Sequence, residues 1–136
     1  MEHNQVTQVL HEVMSLLIQV APPGWKRIFL NFETLDEEQQ LCTSSEIVAV
    51  MKPLFGKAFK KQFPVPEKAS DLMTEAALHF MEKAKQNYVT LDLLFWNNGK
   101  FKTYIDYEPL ERLGGDIQAG GRYRRYVDDD PLLKDL

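Results

Sequence analysis

Val6, Val9, Leu10, Val13, Leu17 and Val20 recur at helical spacing, with Gln8, Glu12 and Ser15 on other faces. They predict an amphipathic helix that Ala21-Pro22-Pro23-Gly24 ends. The period then shortens to two. Ile28, Leu30 and Phe32 alternate with Arg27, Asn31 and Glu33 in WKRIFLNFET, the pattern of a strand buried on one face. Leu35-Asp36-Glu37-Glu38 predicts a polar turn into a second strand. There LCTSSEIVAVM offers two readings: Thr43-Ser44-Ser45-Glu46 spells a capping box, while Ile47, Val48 and Val50 favour a strand, which we prefer. Pro53, Gly56, Pro64 and Pro66 break up the lysine-rich stretch that follows, predicting a loop with room for one short strand.

Ala69, Leu72, Met73, Ala76, Phe80 and Ala84 define a second amphipathic helix from Pro66 to near Asn87. Residues 87–109, NYVTLDLLFWNNGKFKTYIDYEP, then read as a hairpin. A three-residue Asn97-Asn98-Gly99 loop sets Phe95 by Phe101, Leu93 by Thr103, Leu91 by Ile105 and Val89 by Tyr107, which gathers the aliphatic side chains on one face. A two-residue Asn98-Gly99 loop would oppose Phe95 to Lys102 instead. Val89, Leu91, Leu93, Phe95, Phe101 and Ile105 are thus expected to pack on the helices. The order α-β-β-α-β-β predicts an α+β fold, a single domain over residues 1–127 with an antiparallel sheet of two hairpins, an N-terminal helix and a central helix. The segment before residue 127 is expected to be an irregular extension across the sheet, and residues 128–136 a loose acidic tail.

Composition narrows the class. With 44% hydrophobic and 26% charged residues the chain has the makings of a core and is not a disordered one. A net charge of −4 argues against a nucleic-acid partner and suits a basic protein. Cys42 stands alone, so no internal disulfide can form. The N-terminus lacks a secretory pattern and no apolar run is long enough for a membrane span, so the expected setting is the cytoplasm, without a membrane partner.

Catalytic signatures are near-misses. His11-Glu12-Val13-Met14-Ser15 begins like a zinc-protease helix, but Ser15 stands where the second histidine ligand belongs. His79 has no neighbouring ligand, and Cys42 reads as a small buried thiol. GGDIQAGG neither follows a strand nor opens a helix, as a phosphate cradle must. Asp92 and Asp106, on paired strands, offer the start of a metal site for a small nuclease, but a third carboxylate and a suitable lysine are missing. No cofactor, no metal and no enzyme activity are expected.

The hairpin has a second face, where Leu94, Trp96 and Tyr104 sit among Asp92, Lys102 and Asp106. This hairpin, an N-terminal helix, a strand led by Trp25, a long helix and the segment GRYRRY together resemble the YezG-like immunity (antitoxin) proteins. The resembling positions are Asp92 with Phe95 and Trp96, Gly99-Lys100, Asp106-Tyr107, and Tyr123-Arg124-Arg125-Tyr126. The resemblance implies a noncatalytic antitoxin that binds a toxin domain, a nuclease carried at the C-terminus of a larger secreted bacterial protein. Asp92, Trp96, Tyr104, Asp106, Arg124, Asp128, Asp129 and Asp130 are the candidate toxin contacts. The alternatives are the small metal-dependent nuclease at Asp92 and Asp106, and a structural adaptor. One question stays open: either a partner uses the aromatic face, or the tail covers it, with Tyr123 and Tyr126 packing on Trp96 and Tyr104.

Overall fold

Val6, Leu10, Val13 and Leu17 form the buried stripe of helix α1 (His3–Val20), which lies beside α2 (Glu67–Ala84) on one face of a sheet. Val20, expected in that stripe, is exposed at the end of α1. The computed structural model describes residues 2–116 and 121–136. Its elements run α1, β1 (Trp25–Glu37), β2 (Gln40–Met51), β3 (Phe59–Gln62), α2, β4 (Tyr88–Trp96) and β5 (Phe101–Asp106), then two 3₁₀ turns, Arg122–Tyr126 and Pro131–Asp135. The strands pair antiparallel in the order β3-β2-β1-β4-β5. This is an α+β architecture, with the short β3 added to the two expected hairpins.

The pairing of β4 with β5 sets Phe95 opposite Phe101, Leu93 opposite Thr103 and Leu91 opposite Ile105. That is the register of a three-residue loop; Gly99, at φ 92°, closes it by donating its N–H to the Trp96 carbonyl. Val89, Leu91, Leu93 and Phe95 are fully buried toward the helices. Ile105 is not: it is 43% exposed, because β5 is the edge of the sheet, with no strand beyond it among the described residues.

Strand β1 runs past the predicted turn at Leu35-Asp36-Glu37-Glu38. The chain reverses at Glu38 and Gln39, whose φ values are 51° and 63°, between the paired residues Glu37 and Gln40. Positive φ at both central positions is the twist-matched two-residue hairpin, which Asn-Gly usually advertises; Glu-Gln does not. The β2 segment is a strand throughout, and the capping box is not used. Cys42, expected to be buried, is only partly so.

The larger departure concerns the outer face of the sheet. A strand buried on one side was expected at β1, yet Asn31, Glu33 and Thr34 are buried along with their apolar neighbours. Phe29, Val48, Val50, Leu94 and Trp96 form a second core on this face together with Ala58, Tyr123 and Leu133. The C-terminal segment supplies its lid. Residues 128–136, expected to be loose, contribute the buried Asp130 and Leu133, with Leu132 and Leu136 partly buried against the same cluster. Apolar burial on both faces makes the C-terminal turns part of the folded unit.

Candidate functional site

The outward polar residues of β1, β2, β4 and β5 hold the tail. Asp92 lies at the centre of the sheet with no exposed surface. Its Oδ1 accepts from Asn31 Nδ2 at 2.6 Å, and its Oδ2 accepts from Arg122 Nε at 2.6 Å and from the Tyr126 hydroxyl. Arg122 spreads its guanidinium further, to Asp106 through Nη2 and to Glu111 through Nη1 at 2.9 Å. Asp106 also accepts from Arg125 Nη1 at 3.1 Å and from the Glu108 backbone N–H at 2.8 Å. One arginine is thus shared by three carboxylates, two of them on paired strands, in the forked geometry that suits guanidinium.

Local charge follows from this packing. Burial opposes the charge on Arg122, but hydrogen bonds to Asp92 and Asp106 outweigh it and hold the guanidinium more firmly protonated than usual. Burial also works against ionised Asp106, yet the Glu108 N–H and Arg122 keep its carboxyl below the usual range. The Tyr126 phenol is pushed up, first by burial and then by its bond to Asp92.

Two further clasps flank this centre. Glu33, buried on β1, accepts from the backbone N–H groups of Arg112 and Leu113 at 3.1 and 3.0 Å. The Arg112 side chain reaches Ser44 Oγ at 2.8 Å and Glu46 at 3.5 Å. At the other end Asp130 pairs with Arg27, while Asp129 accepts from the Tyr104 hydroxyl and lies 3.5 Å from Lys102 Nζ. The Tyr104 ring stacks on Tyr126 at 4.0 Å between centroids.

The candidate contacts therefore divide. Asp92, Trp96, Tyr104, Asp106, Asp129 and Asp130 are all engaged by the sheet-to-tail interface, and the aromatic face is covered rather than free. Trp96 is only 8% exposed, with Lys100 Nζ 4.9 Å and the Arg27 guanidinium 6.0 Å from its ring centre. Arg124 and Asp128 are exposed, Arg124 lying across the Tyr123 ring at 5.3 Å. The GGDIQAGG stretch reaches into residues 117–120, which lie outside the described residues.

Asp92 and Asp106 do come together, but around Arg122, so a buried cation already pairs with both. Among the described residues no group of three or more His, Cys, Asp or Glu side chains is arranged to hold a metal ion. No described helix is long and apolar enough to cross a membrane.

A surface absent from the sequence-based candidates stands out instead. The connection from β2 to β3 presents Leu54 at 89% and Phe55 at 85% exposure, beside Phe59 at 51%. The signal was two large apolar residues between turn-forming Pro53 and Gly56, in a stretch that would otherwise pass for a solvated lysine loop. No protein-family model matches the chain, and no curated protein sequence matches it.

Proposed function

We propose that this protein is an immunity protein that binds a bacterial toxin domain and neutralises it without catalysis. The observation that carries this reading is the interlock at Asp92. The separated segments by which the chain resembles YezG-like immunity proteins meet there: Asp92 on β4, Asp106 on β5 and Tyr126 of the GRYRRY segment all share contacts with Arg122 or with one another. That these separated segments build one clasp in this chain is what supports the resemblance. The partner in this proposal is a nuclease domain, the C-terminal part of a larger secreted protein, met in the cytoplasm; the net charge of −4 favours encounter with a basic one. The occupation of Asp92 and Asp106 by Arg122 counts against the alternative of a metal-dependent nuclease built on them. Co-expression with a toxin domain carried by a secreted protein of the neighbouring gene, the partner this reading requires, tests the proposal. Growth is restored and a stoichiometric complex is isolated if it holds; continued killing, with no complex between the purified proteins, contradicts it.

A further inference from the structure

Residues 47–66 carry Lys52, Lys57, Lys60 and Lys61 and no carboxylate, within a chain of net charge −4. Lys60 turns to the tail, its Nζ donating to the Tyr123 hydroxyl at 3.2 Å, while Lys52, Lys57 and Lys61 lie in or next to a segment with an apolar tip. Leu54 and Phe55 project almost fully into solvent, and Phe59 opens β3 next to them. The turn is hydrogen-bonded across its base. Lys52 Nζ donates to the Pro53 carbonyl at 3.1 Å and to the Gly56 carbonyl at 2.6 Å, bridging the base of the turn. Gly56 sits at φ 108°, a conformation that a side chain would strain. A turn bonded in this way has less backbone freedom to lose on binding. Beyond them β3 is the outer strand of the sheet, every residue of it exposed, with one edge unpaired among the described residues.

We infer that this tip is the docking surface for the toxin domain, and that the toxin, basic overall, meets it with a local apolar recess bordered by carboxylates. The inference rests on the proposed function for the identity of the partner; the surface and its chemistry are read from this chain. Charge complementarity selects the occupant. Among the described residues no ion pair engages Lys57 or Lys61, leaving them available to carboxylates. A second copy of this chain meeting it tip to tip would set Lys57 and Lys61 against their own like charges. A bilayer would take Leu54 and Phe55 but would offer the backbone edge of β3 no strand to pair with. A protein can satisfy the side chains and the strand edge together.

Binding of the purified, catalytically inactivated toxin domain to the intact protein provides the test. Leu54→Ser with Phe55→Ser should weaken binding about 30-fold or more, mainly through faster dissociation, with the melting temperature unchanged. Lys57→Glu with Lys61→Glu should slow association, most at low salt. Unaltered affinity in both variants, with the wild type still binding and rescuing growth, overturns this surface while leaving the proposed function standing. Failure of the wild type to bind defeats the proposed function and the choice of partner with it. Co-sedimentation of the wild type with phosphatidylserine vesicles, lost in the Leu54→Ser, Phe55→Ser variant, or a dimer in sedimentation that the same variant dissolves, also overturns it in favour of lipid or self-association.

Discussion

Arg122→Met tests the clasp that joins the tail to the sheet. The arginine and Asp92 side chains are 4% and 0% exposed, so the pair is removed from solvent screening. Losing the guanidinium leaves Asp92 with the neutral donors Asn31 and Tyr126 and no countercharge. Breaking a buried pair from one side costs about 3–5 kcal/mol. The contact with the partly exposed Glu111 adds little, about 0–1 kcal/mol. Against a total stability of about 5–15 kcal/mol for a small domain, the loss is large. Most of it is the penalty of a stranded charge, not the value of the bond, which separates this account from simple loss of packing. Asp92→Asn in the Arg122→Met background removes the charge, and its amide can donate to the Tyr126 oxygen. Urea denaturation should therefore show a much lower midpoint for Arg122→Met and substantial recovery in the double variant. A midpoint for Arg122→Met equal to the wild type, or a double variant no more stable than the single one, would refute the reasoning.

Trp96→Ala should cost about 3–5 kcal/mol, since the ring is buried in the outer core, whereas Ile105→Ala at the exposed sheet edge should stay within about 0.5 kcal/mol; equal denaturation midpoints for the two variants would contradict the burial described. Asp106 has a folded pKa held below its unfolded value of about 3.9, so its contribution is present above that value and lost as pH falls through the folded one. Tyr126 has a folded pKa raised above its unfolded value of about 10, so its contribution is full below that value and lost as pH rises through the folded one. Stability measured against pH should fall less steeply on the acid side in Asp106→Asn and on the alkaline side in Tyr126→Phe; slopes identical to the wild type's would sink this assignment.

Much of the fold was legible because its periodicities are strong. The stripe of α1, the alternation of β1 and the Asn97-Asn98-Gly99 loop each specify one packing, and the hairpin register followed from keeping Leu91, Leu93 and Phe95 together. The turn at Glu38-Gln39 was hidden because neither residue marks positive φ. The outer core was hidden for a different reason. Asn31, Glu33, Asp92 and Asp106 look like solvent-facing strand positions, and only the return of Arg112, Arg122 and Tyr126 in three dimensions turns them into a polar seat for the tail. Proximity of Asp92 to Asp106 was readable from the register; the arginine between them was not, since residues 16 and 30 positions away in sequence leave no local signature. Trp96 and Tyr104 were read as an aromatic face with two possible fates, and the tail covers it. Leu54 and Phe55 between Pro53 and Gly56 mark a turn in the sequence, but their exposure is a tertiary fact.

Hydrogen exchange of the protein alone and in complex with the inactivated toxin domain probes the central claim most directly, because it asks which surface the partner uses and whether the tail stays closed. The account predicts slower exchange at amides of residues 54–62 and unchanged exchange across 122–133, where the clasp at Asp92 remains intact. Faster exchange across 122–133 together with new protection on β4 and β5 would contradict it, showing that the toxin displaces the tail and takes the aromatic face for itself.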